Sequence, residues 1–155
     1  MFQQQQPEYW HVTMCLKRDD GMGPNIHINL PGLAQSARRC EVLVNNFSTT
    51  HFVDDANPIL LNSNSIALHL RGCRNVWDGR AGGHGDVVAM SPFQLERFPQ
   101  GFYMTSLFRS NGAWALVSDH PFSAGIDMKI TKGDGSDLSA LPDEILISLT
   151  FRFMN

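Results

Sequence analysis

The stretch Ile145-Leu146-Ile147-Ser148-Leu149-Thr150-Phe151-Arg152-Phe153 constrains the chain more than any other. Ile145, Ile147, Leu149, Phe151 and Phe153 recur at every second position, and Ser148, Thr150 and Arg152 lie between them. A period of two belongs to an extended strand, whose successive side chains point to opposite faces of a sheet. On a helix the same residues would be scattered round the circumference. The alternation recurs in Trp10, Val12, Met14 and Leu16 against His11, Thr13 and Lys17. It recurs in Cys40, Val42 and Val44 against Glu41, Leu43 and Asn45. It appears again in Ile66, Leu68 and Leu70, and in Ile126, Met128 and Ile130. Such strands are buried on one face and wet on the other, as in antiparallel sheets.

Between these runs lie Asp20-Gly21, Pro31-Gly32, Asn57-Pro58, Asp78-Gly79, Gly82-Gly83, Asn111-Gly112 and Gly133-Asp134-Gly135. Each supplies the positive or fixed φ that a reversal needs. The run Phe102 to Arg109 reads as a strand followed by a hairpin at Asn111-Gly112 into a strand from Ala113 to Ser118. No segment carries a 3.6-residue apolar stripe, although Pro92 to Pro99 is expected to form a short helical turn. These elements predict an all-β fold, a single antiparallel β-sandwich arranged as a jelly roll of about eight strands. The long connections from Asp19 to Asn25, Val53 to Asn64 and Val76 to Gly85 suit its crossing loops. The Cys…Trp…Cys core of an immunoglobulin sandwich is missing, and no fixed repeat suggests a propeller or solenoid. Residues 1–7, with the glutamines Gln3 to Gln6, are expected to be a flexible N-terminal arm. Residues 8–155 then form a single jelly-roll domain.

Composition narrows the function classes. The 155 residues are 43% hydrophobic and 17% charged, the balance of a globular chain rather than a disordered one. Twelve basic and fifteen acidic residues give a net charge of −3, with no basic stripe to grip a phosphate backbone. No nucleic-acid partner is therefore expected. No apolar run approaches the ~18 residues of a membrane helix, and the first residues lack the basic and apolar regions of a secretion signal. Cys15, Cys40 and Cys73 are odd in number and widely spaced, which suits reduced thiols rather than a disulfide framework. Cys15 and Cys40 lie inside apolar runs and are expected to pack as small hydrophobes.

Sites for chemistry are sparse. His84-Gly85-Asp86 offers two ligands in a glycine-rich loop, too few for a transition-metal site. His11, His27 and His69 lie in separate strands. Asp134 and Asp137 resemble part of a calcium loop but lack its spacing and closing glutamate, so a turn is expected. Ser118, Asp119 and His120 are neighbours and cannot form a triad in series, and Ser91 with His84 has no orienting partner. No nucleophile elbow or nucleotide-binding loop occurs. The chain is therefore expected not to be an enzyme and to use no catalytic residue, cofactor or metal.

The aromatics between Trp77 and Trp114 are a different matter, since several lie in presumed loops. Aromatics and methionines in loops give large contact area at low entropic cost, as protein–protein contacts require. Trp77, Met90, Phe93 and Phe98 are accordingly the candidate interface, the competing expectation being that they close the sandwich core.

The strand order and the ending Asp143-Glu144-Ile145-Leu146-Ile147-Ser148-Leu149-Thr150-Phe151-Arg152-Phe153 resemble small jelly-roll capsid proteins of large icosahedral DNA viruses. The opening strand from Glu8 to Lys17 and the segment Ile26-His27-Ile28-Asn29-Leu30-Pro31-Gly32 add to the resemblance. It covers most of the chain as a pattern rather than a diagnostic motif, and it carries over no site residue. It implies a minor capsid or penton-type protein, located in the virion and oligomeric in an assembly. Its partners would be copies of itself or other capsid proteins. The alternative reading is a carbohydrate- or ligand-binding β-sandwich in which Trp77, Trp114 or Tyr103 stacks on a sugar. Two further readings, a trimeric signalling sandwich and a metal-dependent jelly-roll enzyme, have weaker support in the residues.

Overall fold

The computed structural model describes residues 6–21, 23–53, 60, 63–74, 86–110, 112–118 and 122–155. Ten strands follow in chain order: β1 (Glu8–Lys17), β2 (Asn25–Ile28), β3 (Arg39–Val53), β4 (Ser65–Leu70), β5 (Cys73–Arg74), β6 (Val87–Phe98), β7 (Gly101–Arg109), β8 (Ala115–Val117), β9 (Ile126–Lys132) and β10 (Glu144–Met154). All pairings are antiparallel. The lateral order is β1-β10-β3-β7-β6-β4-β9-β2.

Setting aside β5 and β8, which lie off the main path, the other eight strands taken in chain order lie as 1-8-3-6 in a front sheet and 2-7-4-5 in a back sheet. That interleaving is the jelly roll expected from the sequence. The two sheets are joined along one side by β6. Its first half pairs with β4, and from Phe93 onward it pairs with β7. The molecule is thus a sheet curled into a half-barrel as much as a sandwich. Pro92 stands at the crossover, the last position paired with β4. Proline has no N–H to donate and is tolerated where a ladder ends. The short helical turn expected from Pro92 to Pro99 is therefore wrong: Pro92 to Phe98 are strand and Pro99 opens the turn that follows, so the prolines mark the strand's corner and its end.

The core is one cluster fed by both sheets. Ile145, Ile147, Leu149, Phe151 and Phe153 are all buried, and β10 lies between β1 and β3, as its alternation requires. On β3 the pattern changes phase. Ser148 pairs with Asn46 and Leu149 with Val44, so Asn45 is an extra residue, a β-bulge. Cys40, Val42 and Val44 face inward before it, and Phe47, Thr49, His51 and Val53 after it. A strand of fifteen residues keeps one face on the core only through this slip.

The expected hairpin at Asn111-Gly112 is a second correction. β7 pairs with β3 from Val53 to Asn46, and β8 continues along the same edge from Val42 to Cys40. The chain does not reverse; it bulges away and resumes its course. Gly112 takes a φ of 78° within that excursion. At Gly133-Asp134-Gly135 the expected turn is present. Asp134 Oδ1 accepts the Ser136 N–H at 2.8 Å and the Ser136 hydroxyl at 2.6 Å. That bonding, chiefly from the Ser136 hydroxyl, holds the Asp134 carboxyl below its ordinary pKa. No helix among the described residues is long and apolar enough to cross a membrane.

Candidate functional site

Of the four residues expected to form an interface, three lie on β6. Trp77 lies outside the described residues. Met90 is half-buried on β6. Phe93 packs against the core, which favours the closing-aromatic expectation at that position. Phe98 alone is well exposed, at the tip of the β6–β7 hairpin, where its ring meets Tyr103 edge-on at 6.5 Å. Loop placement was the misleading premise, since Met90 and Phe93 lie on a strand.

A second exposed surface is the outer face of the front sheet. Register places Cys15, Leu146, Ser48 and Leu107 in one row across β1, β10, β3 and β7. Thr13, Ser148, Asn46 and Arg109 form the adjacent row. Leu107 is 52% exposed and Leu146 36%. Cys15 is exposed here as well, so it is not the packed hydrophobe expected, whereas Cys40 is buried. Burial and the neighbouring Glu41 push the Cys40 thiol up to about 12.

Formal charge flanks the leucine row on both sides, with Arg109 beyond Asn46 on one of them. Lys17 and Glu144 oppose each other at one end. At the other, Tyr9, Arg152, Glu41 and Leu116 lie in register. Arg152 and Arg39 both bond the buried carboxylate of Glu41. Burial opposes the Glu41 charge, but the Arg152 and Arg39 hydrogen bonds outweigh it and hold the carboxyl below its usual pKa. Trp114 is occupied by this cluster: the Arg152 guanidinium lies 4.2 Å from its ring centroid. Tyr103 packs with Phe52 and Phe98. Neither aromatic lines the groove described next.

A polar groove of about 570 Å³ opens on the back sheet, lined by residues that include His27, His69, Arg71, Asp86, Asp127 and Lys129. His27 Nδ1 lies 2.7 Å from Asp127 Oδ1, directly across the β2–β9 ladder. Arg71 approaches the other oxygen at 3.5 Å. The hydrogen bond from His27, chiefly, holds the Asp127 carboxyl below its ordinary value. His69 is almost fully buried, with Nδ1 3.0 Å from Asp86 and Nε2 2.8 Å from the Thr131 hydroxyl. The pairing of His27 with Asp127 was invisible in the sequence because the partners are 100 residues apart, and that of His69 with Asp86, 17 residues on, depends on how β6 folds back onto β4.

No metal-binding group of three or more His, Cys, Asp or Glu residues occurs among the described residues. His84, Asp119 and His120 lie outside them. Ser91 is buried opposite Ile66, out of reach of a substrate in solvent. The Ser118 hydroxyl is donated to the Gly72 carbonyl at 2.7 Å. No protein-family model matches the chain, and no curated protein matches it in sequence.

Proposed function

We propose that this chain is a structural subunit of a viral shell, a minor capsid or penton-type jelly roll. It acts through contacts with copies of itself or with other shell proteins and catalyses no reaction. The observation that carries the reading is the outer face of the front sheet, where Leu107 and Leu146 are exposed in a row with Cys15 and Ser48, flanked by Lys17 and Glu144 on one side and Arg109 on the other. An apolar centre inside a polar and charged rim is the common make-up of a protein–protein interface, and exposed apolar side chains in a contiguous row mark such sites. The jelly-roll strand order agrees with the resemblance read in the sequence.

The test is sedimentation and electron microscopy of the full chain, with and without Leu107→Lys and Leu146→Lys. Concentration-dependent, ordered assemblies from the unsubstituted chain, lost in a double variant with an unchanged circular dichroism spectrum, support the proposal. A strictly dispersed chain that both substitutions leave unaltered overturns it.

The polar groove favours a second reading, a module that binds a small polar ligand such as a sugar. His27, Asp127, Arg71 and Lys129 offer donors and acceptors at one opening, although no aromatic residue lines it. A glycan array on the dispersed protein, repeated with Asp127→Ala, tests this alternative.

A further inference from the structure

We infer that β1 is a docking edge for a second copy of this chain, pairing antiparallel with its counterpart across a two-fold axis at Thr13. The strand lies at the end of the sheet order, paired to β10 throughout its ten residues with no bulge. No strand lies on its far side among the described residues. An unpaired edge is a template for another strand, and soluble chains block such edges with prolines, bulges, central charges or very short strands. The opposite edge follows that practice, since β2 has only four residues. β1 does not: between Glu8 and Lys17 it carries no proline and no formal charge.

The residues of β1 are also complementary to themselves. Directly opposed residues in an antiparallel pair point to the same face, so each symmetric register centres on a single residue. An axis at Thr13 sets Trp10 against the second copy's Leu16, and Val12 against its Met14, on the core side. Trp10, Val12 and Met14 are only partly buried in the single chain, and a continued sheet would cover them. The same register sets Tyr9 against the second copy's Lys17 at both ends, so that every residue from Tyr9 to Lys17 has a counterpart within the strand. The neighbouring centres are worse. An axis at Val12 opposes the carboxylate of Glu8 to buried Leu16, and an axis at Met14 leaves Glu8, Tyr9 and Trp10 with no counterpart within the strand. The pairing is closed, because a two-fold uses each edge once and leaves none free for a fibre.

This inference is independent of the shell reading, since it concerns the edge of the front sheet and not its outer face. The experiment is sedimentation equilibrium on the full chain and on Thr13→Lys, with Thr13→Cys in a Cys15→Ser background for cross-linking. Thr13 is exposed, so the lysine places like charges opposite each other only when the strands pair. Below the concentration at which larger assemblies form, the unsubstituted chain is expected at twice 17.3 kDa, and Thr13→Lys at the single mass with an unchanged circular dichroism spectrum. Thr13→Cys is expected to form a disulfide-linked dimer under mild oxidation, because opposed Cβ atoms lie about 4.5–5.5 Å apart. A single-mass unsubstituted chain, or a dimer that survives Thr13→Lys and gives no Thr13→Cys cross-link, overturns the inference. Leu107→Lys is expected to leave the dimer intact. A dimer that Leu107→Lys abolishes and Thr13→Lys spares would move the two-fold to the outer face and overturn the β1 pairing alone.

Discussion

Glu41 on β3 lies directly across the ladder from Arg152 on β10, and its Oε2 accepts the Arg152 Nε–H at 2.7 Å. Arg39 bonds the other oxygen at 2.7 Å, and the face of Trp114 covers the Arg152 guanidinium. A carboxylate this buried is tolerable only because both oxygens are engaged by cations.

The Glu41 carboxyl is held below its unfolded value, which is about 4.3. Its contribution to stability is therefore complete above that value and is lost as pH falls through the lower, folded one. Melting temperature followed from pH 6 to about pH 3 should fall less steeply in Glu41→Gln than in the unsubstituted chain. At neutral pH the same substitution should cost about 1–3 kcal/mol in urea unfolding. That is below the ~3–5 of a fully buried pair, because Arg152 stays partly exposed. Equal acid slopes would show that the ion pair contributes no linkage.

Phe151 is fully buried between its neighbours on β10 and stacks on Phe153 at 6.2 Å. Phe151→Ala should cost about 3–5 kcal/mol. Thr150 faces the other way but accepts the Asn45 side-chain N–H at 2.7 Å and lies 2.8 Å from His11 Nδ1. Thr150→Ala should cost about 1–2 kcal/mol, more than a free surface threonine, because it strips a bonded hydroxyl from a buried position. Chemical denaturation of both variants distinguishes the two faces; equal, small losses would mean that the register is misassigned.

Gly125 takes a φ of 79°, and a Cβ there would lie 2.5 Å from both His27 Nε2 and the Ile28 carbonyl. Gly125→Ala should lower the melting temperature and displace His27 from Asp127. NMR titration of His27 in the two proteins reads that displacement, and superimposable curves would show the ring undisturbed.

Phe93 and Phe98 should separate cleanly. Phe93 packs against the core while Phe98 is 46% exposed. Phe93→Ser should unfold the domain or lower its melting temperature markedly, whereas Phe98→Ser should leave thermal stability within about 0.5 kcal/mol of the parent. A large loss at Phe98 would show that the hairpin tip is part of the core.

Strands and their buried faces were legible in the residues because side-chain periodicity is a local property. Ile145 to Phe153 on β10 and Trp10 to Leu16 on β1 announce both the strand and the side that is covered. Fold class followed, since alternating runs between turn residues leave few architectures. Pro92 misled because proline disfavours a central strand, while only the passage of β6 between two sheets makes it a corner. Asn111-Gly112 misled because a turn dipeptide reports local φ, and whether the chain then reverses or resumes depends on β3. The pairs Glu41–Arg152 and His27–Asp127 were hidden for a related reason. Their partners are 111 and 100 residues apart, and register alone brings them together. The amino-acid order by itself determined which residues seek the core and that they do so as strands. Tertiary structure alone decided which strands became neighbours, which polar groups met, and which sheet face and edge were left without a partner, because those outcomes depend on pairing between distant segments.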